Sequence, residues 1–499
     1  MALSNSNVGN LPANVLYPHY DRSTLTSGIV HIGVGNFHRA HQAWYLHRLF
    51  EMGLNHDWAI IGAGVRSFDT TQREKLLSQD CLTTLIELDP AGKSAEVVGS
   101  MIGYVPIEDG NGPLIHRMTD ASIRIVSLTV TEGGYYIDPV TKAFDAKHPD
   151  IEHDAANPAR PRTAFGAIIA ALKKRHMLNV GPFTLQSCDN LQGNGDILRQ
   201  TVISLCKLSD PSLARWIDAH CTFPNSMVDC IVPASGVREV ALAQTFGVDD
   251  QVPVTHENFR QWVMEDSFCA GRPNWEHVGA TFSDSVHDFE KQKIRILNAG
   301  HQVIASVAEI LNIETISGAM SHRLINAFFH KVQTEEIVPH VAPVAGMTPK
   351  QYVDLIDRRF CNAEIVDTVR RVAFDGSSRH PEFILPTIHD GLAAGISVKG
   401  LALVEAAWAR MCAGNREDGS TIEANDPFWN SLTKTANQAK IEPQVWLEMR
   451  HTYGNLADQT RFASAFAKWL EMIWELGVEA ALEAYCGSPL ILNNPEELA

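Results

Sequence analysis

The 499-residue chain contains no apolar run approaching the roughly 18 residues that a membrane span needs. Its opening stretch, MALSNSNVGNLPANVLYP, carries neither the basic region nor the apolar core of a secretory leader. Both absences make a cytoplasmic protein the expectation. Cysteine is sparse and unpatterned: nine residues, an odd number, lie scattered from Cys81 to Cys486 and none forms a C-x-x-C pair. They read as reduced thiols used for packing rather than as a disulfide framework. Basic residues are also short, 41 Lys and Arg against 58 Asp and Glu, for a formal charge of −17. That field disfavours nucleic acid and anionic membrane surfaces, which are held by clustered cations, and leaves small solutes as the expected partners. There is no H-E-x-x-H, G-x-S-x-G or P-loop, and no two-histidine-plus-carboxylate spacing. Metal, acyl-serine and nucleotide triphosphate chemistry therefore lose support, and no metal is expected.

What is present is enough chain for two cores, since a single core stops growing well below this length. The first half alternates short β-branched apolar runs with helical patterns: GIVHIG at 28–33, WAIIGAGV at 58–65, IRIVSLTV at 123–130 and FTLQS at 183–187. Such alternation predicts an α/β fold with a parallel sheet. Beyond about residue 285 the apolar period becomes 3.6, over 293–313, 348–372, 394–412 and 455–484, so the second half is expected to be mainly α-helical. Thr348 before Pro349 reads as an N-cap followed by proline at the first helical position. The expected domains are 1–285 and 286–499. The stretch 138–162, with Pro139, Pro149, Pro158 and Pro161, is expected to be a long ordered loop bordering the functional site.

The segment IVHIGVGNFHRAHQ sets Gly33 and Gly35 at the end of a predicted strand, with a helix expected directly after. In a dinucleotide turn the first glycine permits the tight bend and the second lets the backbone approach a pyrophosphate. Gly33, Gly35, Asn36 and Phe37 are the candidate cofactor contacts. The third glycine position of that fingerprint is His38, which should force a wider packing of helix on strand. His38 and His41 stand three apart inside this turn, a poor place for a metal. After the second strand, Asp69 is the candidate carboxylate for the adenosine ribose hydroxyls, where it would repel a 2′-phosphate. Its other reading is an N-cap for a helix starting at Thr70, and Arg66 and Arg73 leave NADP open beside NAD.

The segment FEKQKIRILNAGHQ at 289–302 carries Lys293, Asn298 and His301 on what reads as the first turns of a helix. At roughly 100° per residue the three side chains fall within an arc of about 140°. A lysine facing a partly dry pocket can accept an alcohol proton, an asparagine can donate to the developing alkoxide, and a histidine can orient the hydroxyl. The ordinary alternatives are an exposed lysine, a polar cap and a satisfied core histidine. A second cluster, QSCDNLQGNGD at 186–196, follows a predicted strand, and Asn190 is the candidate for a second donor to the same oxygen. An asparagine–glycine turn is its alternative.

Together GVGNFHRAHQ, SLTVTEGGY, SCDNLQGNG, FPNSMVD, FEKQKIRILNAGHQ and DGSSRHPEFILPTI resemble the mannitol dehydrogenase family of long-chain polyol dehydrogenases, in order, from about residue 28 to at least 395. The resemblance implies a Rossmann-type N-terminal domain, a mainly helical C-terminal domain, NAD as cofactor, no metal, and a cleft between domains. It implies Lys293 as general base, Asn190 and Asn298 as the oxyanion pair, His301 as the orienting partner and Glu290 as a carboxylate on the proton path. It further implies substrate contacts at Val228, Asp229 and Arg371, and a cofactor-side block at Glu132 and Gly133. Two positions depart from the family. Its lysine in DGSSK is Arg379 here, and the acidic pair before the second helix is reduced to Asp69 after Phe68. The expected reaction is interconversion of a polyol and a ketose, with D-mannitol and D-fructose first. A uronate reductase acting on fructuronate or tagaturonate, an arabinitol or sorbitol enzyme, and a non-catalytic NAD-responsive protein are the alternatives, and a monomer is the expected state.

Overall fold

The computed structural model describes residues 3–138 and 143–487. Its contacts divide the chain into two compact units, Met1–His287 and Asp288–Ala499.

The first unit is built on a five-stranded sheet, all parallel. Its strands are β1 (Ser27–Ile32), β2 (Ala59–Ala63), β3 (Met101–Tyr104), β4 (Ile125–Leu128) and β5 (Thr184–Ser187). The spatial order is β3-β2-β1-β4-β5. Every residue of β2, β4 and β5 is buried, as strands covered by helices on both faces require. The order reverses at β1, whose neighbours are β2 and β4, so the carboxyl ends of β1 and β4 frame the switch point where such sheets collect ligands. Four of the five strands were expected; β3 was not, because MIGY is too short to show a period. Two further sheets lie outside the expectation altogether. Ser226–Asp229 pairs antiparallel with Gln261–Met264, which pairs with Thr281–Phe282. The strands Val15–Leu16, Gly92–Val98, Thr83–Asp89 and Val254–Glu257 form the other.

The stretch 138–162 is not one loop. Pro139 lies outside the described residues, but Pro149 opens a helix, Pro149–Ala156, whose N-cap His148 accepts from the Asp150 N–H. The buried Asp154 carboxylate then accepts from the backbone of Arg162 and Thr163, tying down the segment after the helix. Proline density had suggested a loop where one proline marks a helix start.

Among its described residues the second unit holds helices and isolated bridges but no strand. Its centre is the helix Lys399–Met411, buried at every position from Gly400 onward, against which Ala299–Ile310 and Thr460–Leu476 pack. A helix buried on every face belongs in such a position, and here it carries two charged residues inward, Glu405 and Arg410. Thr348 caps Pro349–Phe360 in a reciprocal box with Gln351. The long periods read from the sequence are divided: 348–372 becomes Pro349–Phe360 and Val369–Ala373, and 455–484 breaks at Gly477, φ +91°. Apolar periodicity runs through such breaks because both pieces face one core.

Candidate functional site

In the first unit the site begins where β1 ends. Gly33 has φ +93°, and a Cβ there would lie 2.1 Å from the Thr129 carbonyl oxygen at the end of β4. Conformation and close approach both demand glycine. Gly35 differs: its φ is −94° and a Cβ would meet nothing nearer than the Gly33 oxygen at 4.0 Å. A side chain at 35 would fill open space beside the turn rather than strike the protein. The structure thus offers the cradle that a pyrophosphate against bare backbone needs.

The helix after the turn is short, α1 (Asn36–Ala40), and breaks at His41 (φ −119°, ψ −95°) before α2 (Gln42–Glu51). The third glycine position of the fingerprint falls inside this short helix. The His38 ring is buried and stacks on His31 of β1, centroids 3.4 Å apart and 12° from parallel. Burial drives the His38 pKa well below its usual value and that of His31 down to about 3, so both rings are neutral. His31 is satisfied by Ser127, its register partner on β4 (Nδ1 to Oγ, 2.8 Å), and by Thr129 Oγ1 (2.9 Å). Asn36 and Phe37 lie on the turn, but their side chains serve the protein. Asn36 donates to Pro233 O and Ser235 Oγ and accepts from Arg39, while Phe37 stacks on His41.

Asp69 follows β2 as the first residue of α3 (Asp69–Ser78), with Phe68 rather than Asp69 at the N-cap. Its Oδ2 accepts from the backbone N–H groups of Val65 and Arg66, at 3.1 Å each, closing the turn after β2. Both bonds land on one oxygen. Arg66 reaches Tyr136 OH at 3.2 Å and Asp150 at 3.5 Å, and Arg73 donates to Val105 O.

Asn190 is exposed, at the tip of a tight turn three residues beyond β5. Its neighbour Asp189, which sequence reasoning passed over, is buried. Asp189 accepts from Val130 N (3.1 Å), Thr131 N (2.9 Å) and Tyr135 OH (2.7 Å), which fixes the TEGGY turn after β4 to the turn after β5. Glu132 and Gly133 belong to that turn. In the Gln192–Asp196 stretch Gly193 has φ +62°, and buried Asn194 bonds Asp189 O and Ser226, so these residues are structural. Val228 and Asp229 are both buried on the strand Ser226–Asp229.

In the second unit the expected catalytic segment is not at a helix start. A continuous helix runs from Val286 to Ile310, and its middle, Lys293–Asn298, is a π-turn between Val286–Gln292 and Ala299–Ile310. Within a wider turn residues i and i+5 lie closer to one face than 100° steps allow, and Lys293 and Asn298 are five apart. Lys293 is 8% exposed and Glu290 4%, one turn earlier. His301 stacks on Phe360 (4.2 Å) with Nε2 3.7 Å from Asp367 Oδ2 and no hydrogen bond at that nitrogen. Burial pushes its pKa down to about 4; Asp367 opposes the fall, while Arg371, Arg359 and Arg379 add to it.

Arg371 grips Asp367 through two bonds of 2.7 Å, yet its side chain stays largely exposed. Arg379 donates to the carbonyls of Arg371 and Val372. Asp367, unnoticed in the sequence, thus joins His301 to Arg371. Only its four-residue spacing from Arg371 on DTVRR hinted at the pair. Among the described residues no three His, Cys, Asp or Glu side chains converge as a metal set, and no helix is long and apolar enough to cross a membrane.

Residues 27–277 match the mannitol dehydrogenase Rossmann domain and 285–474 the mannitol dehydrogenase C-terminal domain. The chain is 55% identical over 472 residues to mannitol 2-dehydrogenase of Cereibacter sphaeroides, covering 95% of this chain and 99% of the relative. It is 38% identical to mannitol 2-dehydrogenase of Aspergillus terreus, covering 94% and 95%. Among solved structures, Pseudomonas fluorescens mannitol 2-dehydrogenase in ternary complex with NAD and D-mannitol matches with TM-score 0.86 at 37% identity, over 97% of this chain and 99% of that one. A substrate-free D-sorbitol dehydrogenase matches with TM-score 0.90 at 33% identity, over 97% and 100%. The chain belongs to the mannitol dehydrogenase family.

Proposed function

We propose that this protein interconverts D-mannitol and D-fructose with NAD, Lys293 acting as the general base and no metal taking part. The observation that carries the reading is 55% identity, over nearly the whole of both chains, to a protein named mannitol 2-dehydrogenase. NAD, when bound, supplies the hydride acceptor. Gly33 and Gly35 give the bare backbone on which its pyrophosphate would rest, and Asp69 Oδ1 would take a ribose hydroxyl.

The rest belongs to the chain's own side chains. Lys293 Nζ takes the hydroxyl proton as the carbinol hydrogen leaves with its electron pair. Asn298 and Asn190 donate amide hydrogens to the oxygen as it gains charge. His301, neutral because burial holds its pKa near 4, orients that hydroxyl, and Glu290 passes the lysine proton towards solvent. Val228, Asp229, Arg371 and Arg379 hold the remaining hydroxyls. The protein is proposed to act as a monomer in the reducing cytosol, in keeping with nine cysteines of which none is in a disulfide.

The test is an initial-rate panel following NADH and NADPH oxidation with D-fructose, D-fructuronate, D-tagaturonate and D-xylulose. Rapid NADH oxidation with D-fructose is expected. Chromatography of the product then separates mannitol from sorbitol, which share that ketose. Sorbitol as product would move the assignment towards the second structural neighbour, and a faster uronate would overturn the substrate reading. Lys293→Ala should cut turnover by roughly a thousandfold or more with NADH binding unchanged. Full activity in that variant would remove the base.

A further inference from the structure

The π-turn Lys293–Asn298 raises a question that the catalytic reading leaves open: what keeps it wide? Its boundaries are ordinary helix, with φ and ψ of −61° and −45° at Gln292 and −64° and −37° at Ala299. The Ala299 N–H reaches back both to Ile294 O, five residues away, and to Ile296 O, three residues away. A π-turn is one residue more than an α-turn would hold. If it closed, everything before it would rotate by about 100° relative to everything after it. Lys293 and Glu290 lie on one side of that register break, and His301 on the other.

A side chain from another helix reaches into the turn. Gln333 is fully buried, and its Nε2 donates to Ile296 O at 2.9 Å, a carbonyl in the middle of the π-turn. Gln333 is itself the first residue of a second π-turn, Gln333–Ile337, so two wide turns meet at this bond. Its approach is possible because residue 300 is glycine. A Cβ there would stand 2.8 Å from Gln333 Nε2 and 3.0 Å from Phe329 Cε2. Gln333 Oε1 is buried with no hydrogen-bond partner. A glutamine retained at full burial with only its donor end satisfied is not explained by packing, which methionine or leucine would serve as well.

We infer that Gln333 is a positioning residue that holds the π-turn open through Ile296 O, and thereby keeps Lys293 on the face shared by Asn298 and His301. The inference rests on the reading of Lys293 as the base. Gln333 touches neither substrate nor cofactor in this account. Its effect passes through backbone register, and Gly300 is the space that lets it act.

Two variants test this in the full-length protein with D-fructose and NADH. Gln333→Met keeps the volume and removes the donor; Gly300→Ala keeps the donor and pushes it away. Each should lower kcat by ten- to a hundredfold while KM for D-fructose and the Kd for NADH, read by NADH fluorescence, stay within about threefold. General damage would raise KM and Kd together, and that outcome overturns the inference, as does wild-type kcat in either folded variant. Should Gln333→Met fail to fold, Gly300→Ala alone decides. Lys293→Met run beside them separates the two claims. If it retains turnover, the base reading falls and takes this one with it. If it is inactive while Gln333→Met is fully active, only the clamp is lost.

Discussion

Two turns define the candidate chemistry, and they are held in different ways. The turn at Gly33 is held by local sterics: a positive φ and a carbonyl 2.1 Å from where a Cβ would stand leave glycine as the one acceptable residue. The turn at Lys293–Asn298 is held by hydrogen-bond register, with ordinary helical angles at both ends and a distant glutamine bonded to its middle. The first kind of constraint is written at the residue it acts on. The second acts on Lys293 from a residue forty positions away, and nothing at Lys293 itself records it.

If that contrast is right, the largest effect belongs to Gly33→Ala. Strain and collision with Thr129 O should destabilise the first unit by about 3 kcal/mol or more and abolish NADH binding, seen in thermal unfolding and fluorescence titration. Gly35→Ala, two residues on, should leave the melting temperature nearly unchanged and weaken NADH roughly tenfold, because its Cβ meets only the proposed ligand. Equal destabilisation by both would break the distinction between a turn shaped for itself and one shaped for a cofactor.

Next in size is Asp189→Ala, which strips acceptors from two backbone N–H groups and from Tyr135 OH. About 2–4 kcal/mol of stability should be lost in urea unfolding. A loss below 0.5 kcal/mol would mean that the two turns hold without it.

The smallest effect is a pH dependence. His301 binds its proton at about pH 4 folded, against 6.5 for a solvated imidazole. The unfolded chain therefore takes up the proton first, and stability that is complete above pH 6.5 is lost as pH falls through 4. His301→Asn should lessen the fall in melting temperature across that window. His31, lowered to about 3 by burial, contributes the same slope and remains in the variant. An unaltered slope would place His301 in a more solvated setting than its contacts with Phe360 and Asp367 imply.

Much of this was legible in the chain. Alternating β-branched runs announced the parallel sheet because buried strands must be apolar on both faces, and Gly33 announced the turn because no other residue tolerates it. Lys293, Asn298 and His301 were singled out as a group by spacing, although the uniform 100° step behind that grouping does not hold across a π-turn. Asp189 and Asp367 were not legible. Each is one carboxylate among many, and its importance lies in which N–H groups or guanidinium come within reach once the chain has folded. Pro149 was misjudged for a related reason, since a proline-rich stretch and a helix start use the same residue.

By itself, then, the sequence determined the two fold types, the turn at β1 and the family, because those follow from local sterics, apolar period and ordered motifs. Tertiary structure alone decided that His38 would stack on His31, that Asp189 would join two turns, and that Gln333 would meet Ile296 O across the space left by Gly300. Those outcomes depend on distances between residues remote in the chain, and such distances exist only after the cores have packed.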